Sequence, residues 1–301
     1  MLIPCLRLIS AYLTAMPRDG LLRTGARWGW WLGRVIRFRR RLVLEALARS
    51  FPDKSAAERT RIADAMYRHL GMNMAESLRM DTIGPDFLER FVDTTDAGRF
   101  LEILRQGRGI VALTAHLGNF DLLCLASGIV GIPLTIISKA LKPRRLNEYW
   151  MAARSRFGLR VVPHRHSARL CLRVLRDRGV LGFILDQNMK RHEGVFVDFF
   201  GRPACTSPGL AVLSSQAGSP VVPIFIVRRP DGDHKVVVQD PLEPPPNRKP
   251  DTILAATQQY TRILEEMVRR YPDQWLWIHR RWKTQPLQDV PEHTVQSLPE
   301  G

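Results

Sequence analysis

Residues 112–123, ALTAHLGNFDLL, place a histidine and an aspartate five positions apart. A neutral imidazole can accept a proton near pH 7, and a nearby carboxylate can orient the ring and stabilise the imidazolium that forms. On a continuous α-helix, five residues turn the direction by about 500°, so His116 and Asp121 would face different sides. They can meet if His116 ends a strand and Asp121 lies in the first turn of the next helix.

Gly118 and Asn119 favour such a strand-to-helix turn. Glycine permits the dihedral angles of a sharp corner, and asparagine is a preferred helix N-cap. The turn would also place backbone N–H groups of the helix N-terminus near the histidine, where they can stabilise developing negative charge. The bare His-x4-Asp pattern is common by chance, so a capped helix beside an ordinary histidine is the alternative.

The surrounding sequence predicts an α/β fold with a mostly parallel or mixed central sheet flanked by helices. GIVALTAH, at 109–116, is an apolar run typical of a strand buried on both faces. Other candidate strands lie at 134–138, 159–163, 180–186, 195–200, 221–227 and 234–240. Helical patterns lie at 56–79, after a capping box that begins at Ser55, and at 97–106, 143–157, 166–178, 208–217 and 251–271. Strands that alternate with helices indicate parallel pairing.

The composition restricts the class of protein. At 301 residues and 45% hydrophobic content, the chain can form one large domain with a smaller addition. Lys and Arg number 45 against 29 Asp and Glu, a net charge of +16 that favours a polyanionic partner: nucleic acid, an anionic membrane or a phosphorylated substrate. The cysteines form no Cys-x-x-Cys pattern, which argues against a disulfide framework or zinc site and favours a reducing, cytosol-facing location.

The first fifty residues predict attachment to a membrane. MLIPCLRLISAYLTAM is apolar but is interrupted by Arg7, and it is shorter than the roughly 20 residues that a membrane span needs. Trp28, Trp30 and Trp31 then lie among arginines, which is typical of an interfacial anchor on an anionic cytoplasmic leaflet. The alternative is a basic helix whose Trp face packs on the body. We expect a membrane-associating segment at 1–50, a catalytic domain at 51–286 and a flexible tail at 287–301.

Three blocks of sequence together resemble one family. TAHLGNFDLL, the segment 186–225 that begins DQNMKRHEG, and QWLWIHRRWK at 274–283 resemble the bacterial lipid A biosynthesis acyltransferases, including lauroyl, myristoyl and phosphatidylinositol mannoside acyltransferases. The resemblance extends from about residue 5 to residue 286. It implies a glycerolipid-acyltransferase-like enzyme at the cytoplasmic face of the bacterial inner membrane. Such an enzyme moves a fatty acyl chain from an acyl carrier protein or coenzyme A thioester to a hydroxyl group of a glycolipid, such as a lipid A precursor.

The resemblance also implies roles for single residues. His116 corresponds to the catalytic general base and Asp121 to its acidic partner, which many lipid A members replace with glutamate. Between them, Gly118-Asn119-Phe120 is more similar to the mannoside acyltransferase branch than to the lauroyl transferases. The resemblance therefore does not decide which glycolipid is the acceptor.

Arg156 and Asp186 fall where the family has residues important for activity. An arginine can bind a phosphate bidentately, and an aspartate at a strand end can bind sugar hydroxyls or the arginine. The predicted substrate-binding residues are Asn119, Arg156, Asp186, Gln187, Lys190, Arg191 and Arg202. An ordinary surface salt bridge is the alternative for Arg156 and Asp186.

No cofactor is expected beyond the acyl carrier protein or coenzyme A thioester that serves as co-substrate. We also expect no catalytic metal, because His164 and His166 have no partnered carboxylate or cysteine pattern. QWLWIHRRWK could line a headgroup site or seal the edge of the sheet, and the sequence leaves both open.

Two other functions remain as alternatives. The charge and the interleaved Arg and Trp residues would suit a nucleic-acid-binding protein, but no nucleic-acid-binding module is recognisable, so we expect no nucleic-acid partner. A hydrolase of the same fold would use His116 to activate water. The partners expected for the acyltransferase are acyl carrier protein, anionic membrane lipids and the glycolipid acceptor.

Overall fold

The structure is a computed structural model that describes residues 2–138, 144–163 and 167–287. Its strands are β1 (Val92–Asp93), β2 (Ile110–Thr114), β3 (Leu134–Ser138), β4 (Arg160–Pro163), β5 (Val180–Ile184), β6 (Val195–Asp198), β7 (Pro203–Thr206), β8 (Val221–Arg228) and β9 (His234–Val238). Its α-helices are α1 (Leu2–Thr14), α2 (Arg18–Arg34), α3 (Arg40–Ser50), α4 (Ala56–Ser77), α5 (Pro85–Phe91), α6 (Ala97–Arg105), α7 (Phe120–Ile129), α8 (Arg144–Ser155), α9 (Ala168–Arg176), α10 (Gly209–Ala217) and α11 (Pro250–Arg270).

Within these residues, seven strands form the central sheet in the order β1-β9-β8-β2-β5-β3-β4. Pairing is parallel except between β8 and β9, which run antiparallel. The predicted mostly parallel α/β sheet flanked by helices is therefore confirmed. The segment predicted as a strand at 195–200 lies outside this sheet, because β6 pairs with β7 in a separate antiparallel hairpin.

The hydrophobic core occupies both faces of the sheet, because alternate residues of each strand point to opposite sides. Leu113 and Leu181 belong to the core of one face, and Ala112 and Val180 belong to the core of the other. We call these the α9 face and the α7 face, since Cys171 of α9 joins the first core and Leu123 of α7 joins the second. The central strands β2 and β5 are covered on both sides, as their continuous apolar sequences predict.

The helix predicted at 56–79 is present as α4, and its N-terminus has the predicted capping box. The Ser55 hydroxyl accepts from the Glu58 N–H, and the Glu58 carboxylate accepts from the Ser55 N–H. This exchange satisfies backbone donors that a helix otherwise leaves free, and it fixes where the helix begins.

Glycines allow α2 and α4 to pack closely against each other. A Cβ added to Gly29 would overlap the carbonyl group of Tyr67, and a Cβ on Gly71 would overlap the backbone of α2. With this face packed on the body, Trp28, Trp30 and Trp31 are directed outward and are exposed. The alternative in which the tryptophans pack on the body is therefore wrong. In the described part of the chain, no helix combines the length and the apolar character that a membrane span requires.

Candidate active site

The predicted strand-to-helix turn is present between β2 and α7. Gly118 has a φ of +60°, and a Cβ there would overlap the carbonyl oxygen of Ile226, so both conformation and space require glycine. Asn119 is the N-cap of α7, and its side-chain oxygen accepts from the Leu122 N–H at 3.1 Å. The turn brings His116 to the positive end of a helix at the C-terminal edge of the sheet, where ligands bind in open α/β folds.

The C-terminal segment locks this turn in place. Gly118 N–H donates to the Gln274 carbonyl at 3.0 Å, and Leu276 N–H donates to the His116 carbonyl at 3.1 Å. Trp275 and Trp277 are buried in the core of the α9 face. QWLWIHRRWK therefore packs against the end of the sheet and supports the turn that carries His116.

The His116 ring is paired with Asp186, which follows β5. The Asp186 Oδ1 lies 2.8 Å from His116 Nδ1. The other oxygen, Oδ2, accepts from the His116 backbone N–H and from Trp275 Nε1, both at 2.8 Å. Asp186 is only 3% exposed, so these three bonds hold a buried carboxylate in one orientation.

The two groups shift each other's pKa toward the charged forms. Burial favours a neutral Asp186, but the charge of His116 and the hydrogen bonds from His116 and Trp275 outweigh it and lower the pKa of Asp186 to about 2. Burial likewise lowers the pKa of His116, yet the charge and hydrogen bond of Asp186 and the charge of Asp121 raise the net pKa above its usual 6.5. A base with these neighbours is stabilised once it has taken up a proton.

The neighbours of the ring also indicate its tautomer. With Asp186 ionised, Nδ1 carries the hydrogen and donates to Oδ1, which leaves the lone pair on Nε2. Nε2 lies 3.3 Å from the amide nitrogen of Gln187, a donor that needs this lone pair. The ring also makes an edge-to-face contact with Phe120, with centroids 4.9 Å apart. His116 is thus held with its basic nitrogen on the side of the ring opposite Asp186, next to Gln187.

Asp121 lies near this pair but differs from the predicted arrangement in one respect. It is in the first turn of α7, as predicted, and its charge raises the pKa of His116. The hydrogen bond to Nδ1, however, is made by Asp186, which was predicted to bind substrate. Asp186 instead uses both carboxylate oxygens within the protein, because β5 pairs directly with β2 and ends beside the His116 turn.

Behind the turn is a buried polar cluster that the sequence analysis did not identify. Asn119 Nδ2 donates to Glu76 at 2.8 Å, and Asn73 Nδ2 donates to the Gly118 carbonyl at 2.8 Å. Arg228 forms an ion pair with Glu76 at 2.6 Å, and both side chains are fully enclosed. Asn119, predicted to bind substrate, therefore uses its amide to connect the turn to this cluster. The available sequence signal was the arginine that ends the apolar run 221–228.

Arg281 fixes the segment that follows Asp186. Its guanidinium donates to the carbonyl oxygens of Gln187 and Cys205, both at 3.0 Å, and to the Thr206 hydroxyl. Burial lowers the pKa of Arg281 to about 10, so the side chain stays charged at neutral pH. This buried cation supports the backbone of Gln187.

A cavity of about 800 Å³ opens at His116. His116, Asp121 and Gln187 contribute polar groups to it, and most of the remaining lining is apolar, from α7, α9, α10 and the strands β2, β3 and β5. A mainly apolar space of this volume with polar groups at His116 suits a long apolar ligand with a polar head.

The other predicted substrate-binding residues lie outside the lining of this cavity. Arg156 is exposed, with its guanidinium over the Phe157 ring, and Arg202 lies over the Trp282 ring at 4.3 Å. Lys190 Nζ is 3.5 Å from Glu193, and Arg191 donates to the Gln285 carbonyl at 2.7 Å. The structure therefore brings together His116, Asp121, Asp186 and Gln187, and places the four basic residues elsewhere.

His164 and His166 lie outside the described residues, as does most of the predicted tail. Among the residues that the structure does describe, no three His, Cys, Asp or Glu side chains are grouped as a metal site requires.

Comparison with known proteins shows the family of the chain. The family model for "Bacterial lipid A biosynthesis acyltransferase" matches residues 7–284. The chain is 25% identical over 276 residues to the lipid A biosynthesis palmitoleoyltransferase of Escherichia coli K12, covering 90% of this chain and 88% of that protein. It is 27% identical over 287 residues to the myristoyltransferase of the same organism, covering 93% and 85%. The phosphatidylinositol mannoside acyltransferase of Mycolicibacterium smegmatis is 25% identical over 215 residues, covering 69% and 67%. The chain therefore belongs to the bacterial lipid A biosynthesis acyltransferase family.

Proposed function

We propose that this protein transfers a fatty acyl chain from an acyl carrier protein or coenzyme A thioester to a hydroxyl group of a glycolipid, such as a lipid A precursor. The observation that carries the proposal is the position of His116, whose Nε2 faces a mainly apolar cavity while Nδ1 is held by the buried Asp186. Three of the relatives are named as acyltransferases of lipid A or of phosphatidylinositol mannoside, which supports a glycolipid acceptor.

In the proposed mechanism, the acceptor hydroxyl replaces the Gln187 amide at His116 Nε2. Nε2 takes the hydroxyl proton as the oxygen attacks the thioester carbonyl, and the Asp186 carboxylate stabilises the imidazolium. The tetrahedral intermediate then collapses, the C–S bond breaks, and the thiolate leaves as the ester forms. The proton on His116 passes to the thiolate or to solvent, which restores the base.

Gln187 has a second role in this mechanism. Once the hydroxyl has displaced it from Nε2, its amide N–H groups remain next to the reacting atoms, at a segment fixed by Arg281. A donor placed there can bind the oxygen of the tetrahedral intermediate, where a hydrogen bond contributes most to the rate. The N-terminus of α7 adds favourable electrostatic potential on the same side.

We also propose that α2 attaches the protein to the cytoplasmic face of the inner membrane. Trp28, Trp30 and Trp31 are exposed, and Val35, Ile36 and Phe38 continue the apolar surface after the helix. Exposed tryptophans beside arginines favour the headgroup region of an anionic bilayer. A membrane-bound enzyme would reach a lipid acceptor directly, and the net charge of +16 would attract an acidic carrier protein from solution.

Vesicle binding tests this attachment. The double change Trp30→Ser and Trp31→Ser should lower partitioning onto vesicles that contain phosphatidylglycerol by at least tenfold, because two interfacial side chains are lost. Leu254→Ser, at an exposed position of α11, is the control and should have little effect. Equal binding by the wild type and the double variant would contradict the proposed surface.

Product analysis tests the reaction itself. The purified protein is incubated with acyl-acyl carrier protein or acyl-coenzyme A, with and without a lipid A precursor, and the products are separated by mass. Acylated glycolipid that disappears in His116→Ala is the expected result. Free fatty acid as the main product in both incubations would indicate a hydrolase, and salt-sensitive retention on RNA without acyl transfer would indicate the nucleic-acid-binding alternative. Lipid analysis of a deletion strain then identifies the natural acceptor.

A further inference from the structure

The cavity at His116 has lining residues on both faces of the central sheet. From the α7 face it is lined by Leu123, Leu134 and Gly182, and from the α9 face by Cys171, Phe183 and Leu213. Neighbouring residues of a strand point to opposite sides, so Gly182 and Phe183 of β5 cannot line the same side of a sheet. The cavity must therefore pass from one face to the other.

The strand register shows where it passes. β2 stays paired with β5 to the end, with Thr114 opposite Ile184. β3 stays paired with β4 to the end, with Ser138 opposite Pro163. Between β3 and β5, however, the register ends at Ile136 and Gly182, two residues before either strand ends. The sheet thus separates between β3 and β5 at its C-terminal edge, the edge at which His116 lies.

We propose that the cavity has two arms, one on each face of the sheet, and that each arm holds the apolar chain of a different substrate. The arm on the α7 face holds the acyl chain of the thioester donor, and the arm on the α9 face holds a lipid chain of the acceptor. The inference rests on the proposed function, in which two lipid molecules react at one histidine. Two chains that enter from opposite faces meet at the separated edge, beside His116.

The α7 arm is assigned to the donor acyl chain because of its depth. It extends from Ile184 to Val180, which at the usual rise of a strand is about 13 Å. At its inner end Leu134 is paired with Val180, and both line the arm together with Ile132; all three are buried. A closed apolar arm of fixed depth accommodates one unbranched chain of limited length.

The α9 arm is more open to solvent. Ala168 and Gln216 in its lining are both exposed, and Ser167 and Ser207 add hydroxyl groups. An arm that reaches the surface between α9 and α10 can admit a chain whose headgroup stays outside. This is the requirement for a glycolipid that enters from a membrane.

Substitutions in the two arms separate these roles. A Cβ at Gly182 would lie 3.1 Å from Ile136 Cγ2 and 3.2 Å from Leu134 Cδ1, flexible side-chain ends that can shift. Gly182→Val would fill the α7 arm, and Val212→Phe would narrow the α9 arm. Gly98→Val adds the same methyl groups where a Cβ meets open space, so it is the control. Gly182→Ala provides a smaller change if the valine variant does not fold.

The assay measures kcat/KM for thioester donors of graded chain length and KM for the acceptor. Gly182→Val should lower kcat/KM for the preferred donor by at least about tenfold and shift the optimum to a shorter chain, since about two methylenes of burial are lost. It should leave acceptor KM within about twofold. Val212→Phe should raise acceptor KM at least fivefold without moving the donor optimum.

Three outcomes would overturn the inference. If both variants shift the optimum of donor chain length, one chain crosses from one arm to the other. The inference is also wrong if Gly182→Val changes acceptor KM while Val212→Phe changes the donor optimum, or if neither variant changes either quantity. A calorimetric titration with a non-reactive acyl-coenzyme A thioether distinguishes failure of the arms from failure of the reaction. Binding that depends on chain length and weakens in Gly182→Val would support the α7 arm even without turnover. No such binding by the wild type would overturn it.

Discussion

Replacing Asp186 by asparagine tests the assignment of the base, because the two side chains have the same shape but only aspartate is charged. Asp186 Oδ2 accepts two hydrogen bonds and Oδ1 accepts one. In Asp186→Asn the amide nitrogen replaces one of these oxygens. The side chain would keep its oxygen at the position with two donors, so the NH₂ group would face His116 Nδ1. That donor forces Nδ1 to become the acceptor and moves the ring hydrogen to Nε2, where no proton can then be taken up.

The expected loss can be worked from the structure. The pKa of Asp186 falls from 3.8 to about 2, which corresponds to roughly 2 kcal/mol in favour of the ionised carboxylate. Much of this stabilisation comes from the interaction of the carboxylate with protonated His116. Loss of that interaction in the transition state, where the ring is an imidazolium, lowers kcat by about 10²-fold. The wrong tautomer adds to this, and the comparable substitution in serine proteases lowers kcat by about 10⁴-fold. We therefore expect Asp186→Asn to lower kcat by about 10³- to 10⁴-fold.

The assay measures kcat for acyl transfer from a thioester at saturating concentrations of donor and acceptor. A thermal unfolding curve of each variant sets the temperature of the assay, so that only folded protein is compared. Trp275→Phe is the matched control, because it removes one hydrogen bond to Oδ2 but keeps the charge and the Nδ1 contact. It should lower kcat by less than about tenfold. The reasoning would be refuted by an Asp186→Asn enzyme within tenfold of wild type, or by equal losses in the two variants.

Three further predictions concern the surroundings of the base. Asp121→Asn should move the acidic limb of the pH profile of kcat/KM to lower pH, because the Asp121 charge raises the pKa of His116, and an unmoved limb would contradict this. Glu76→Ala leaves a buried guanidinium without its carboxylate and should lower the free energy of unfolding in urea by about 3–5 kcal/mol. Glu45→Ala removes one partner of an exposed ion pair and should change the free energy of unfolding far less, so similar losses in the two variants would count against the role of the buried cluster. Gln187→Leu should lower kcat by about 10²-fold with donor KM little changed, and an effect on KM alone would exclude an oxyanion role.

The sequence by itself determined the local features of this protein. Apolar runs identified the central strands β2, β5 and β8, because burial on both faces leaves a continuous pattern, and helical periodicity identified α4 and α11. The two-residue β1 and the hairpin strand β7 have no such run, and the sequence did not predict them. Ser55 and Glu58 specified where α4 begins, and Gly118 and Asn119 specified the turn after β2. In each case the physical cause lies within a few residues of the chain.

Only the tertiary structure decided which groups meet. Asp186 is 70 residues from His116, and the Asp186 contact with Trp275 spans 89 residues, so both depend on β5 lying next to β2. The same holds for the ion pair between Glu76 and Arg228, whose separation is 152 residues. Strand order and register follow from the packing of the whole chain, and hydrophobic periodicity carries no information about either. The sequence therefore identified His116 as the candidate base and predicted its turn, while the fold selected the carboxylate that holds the ring.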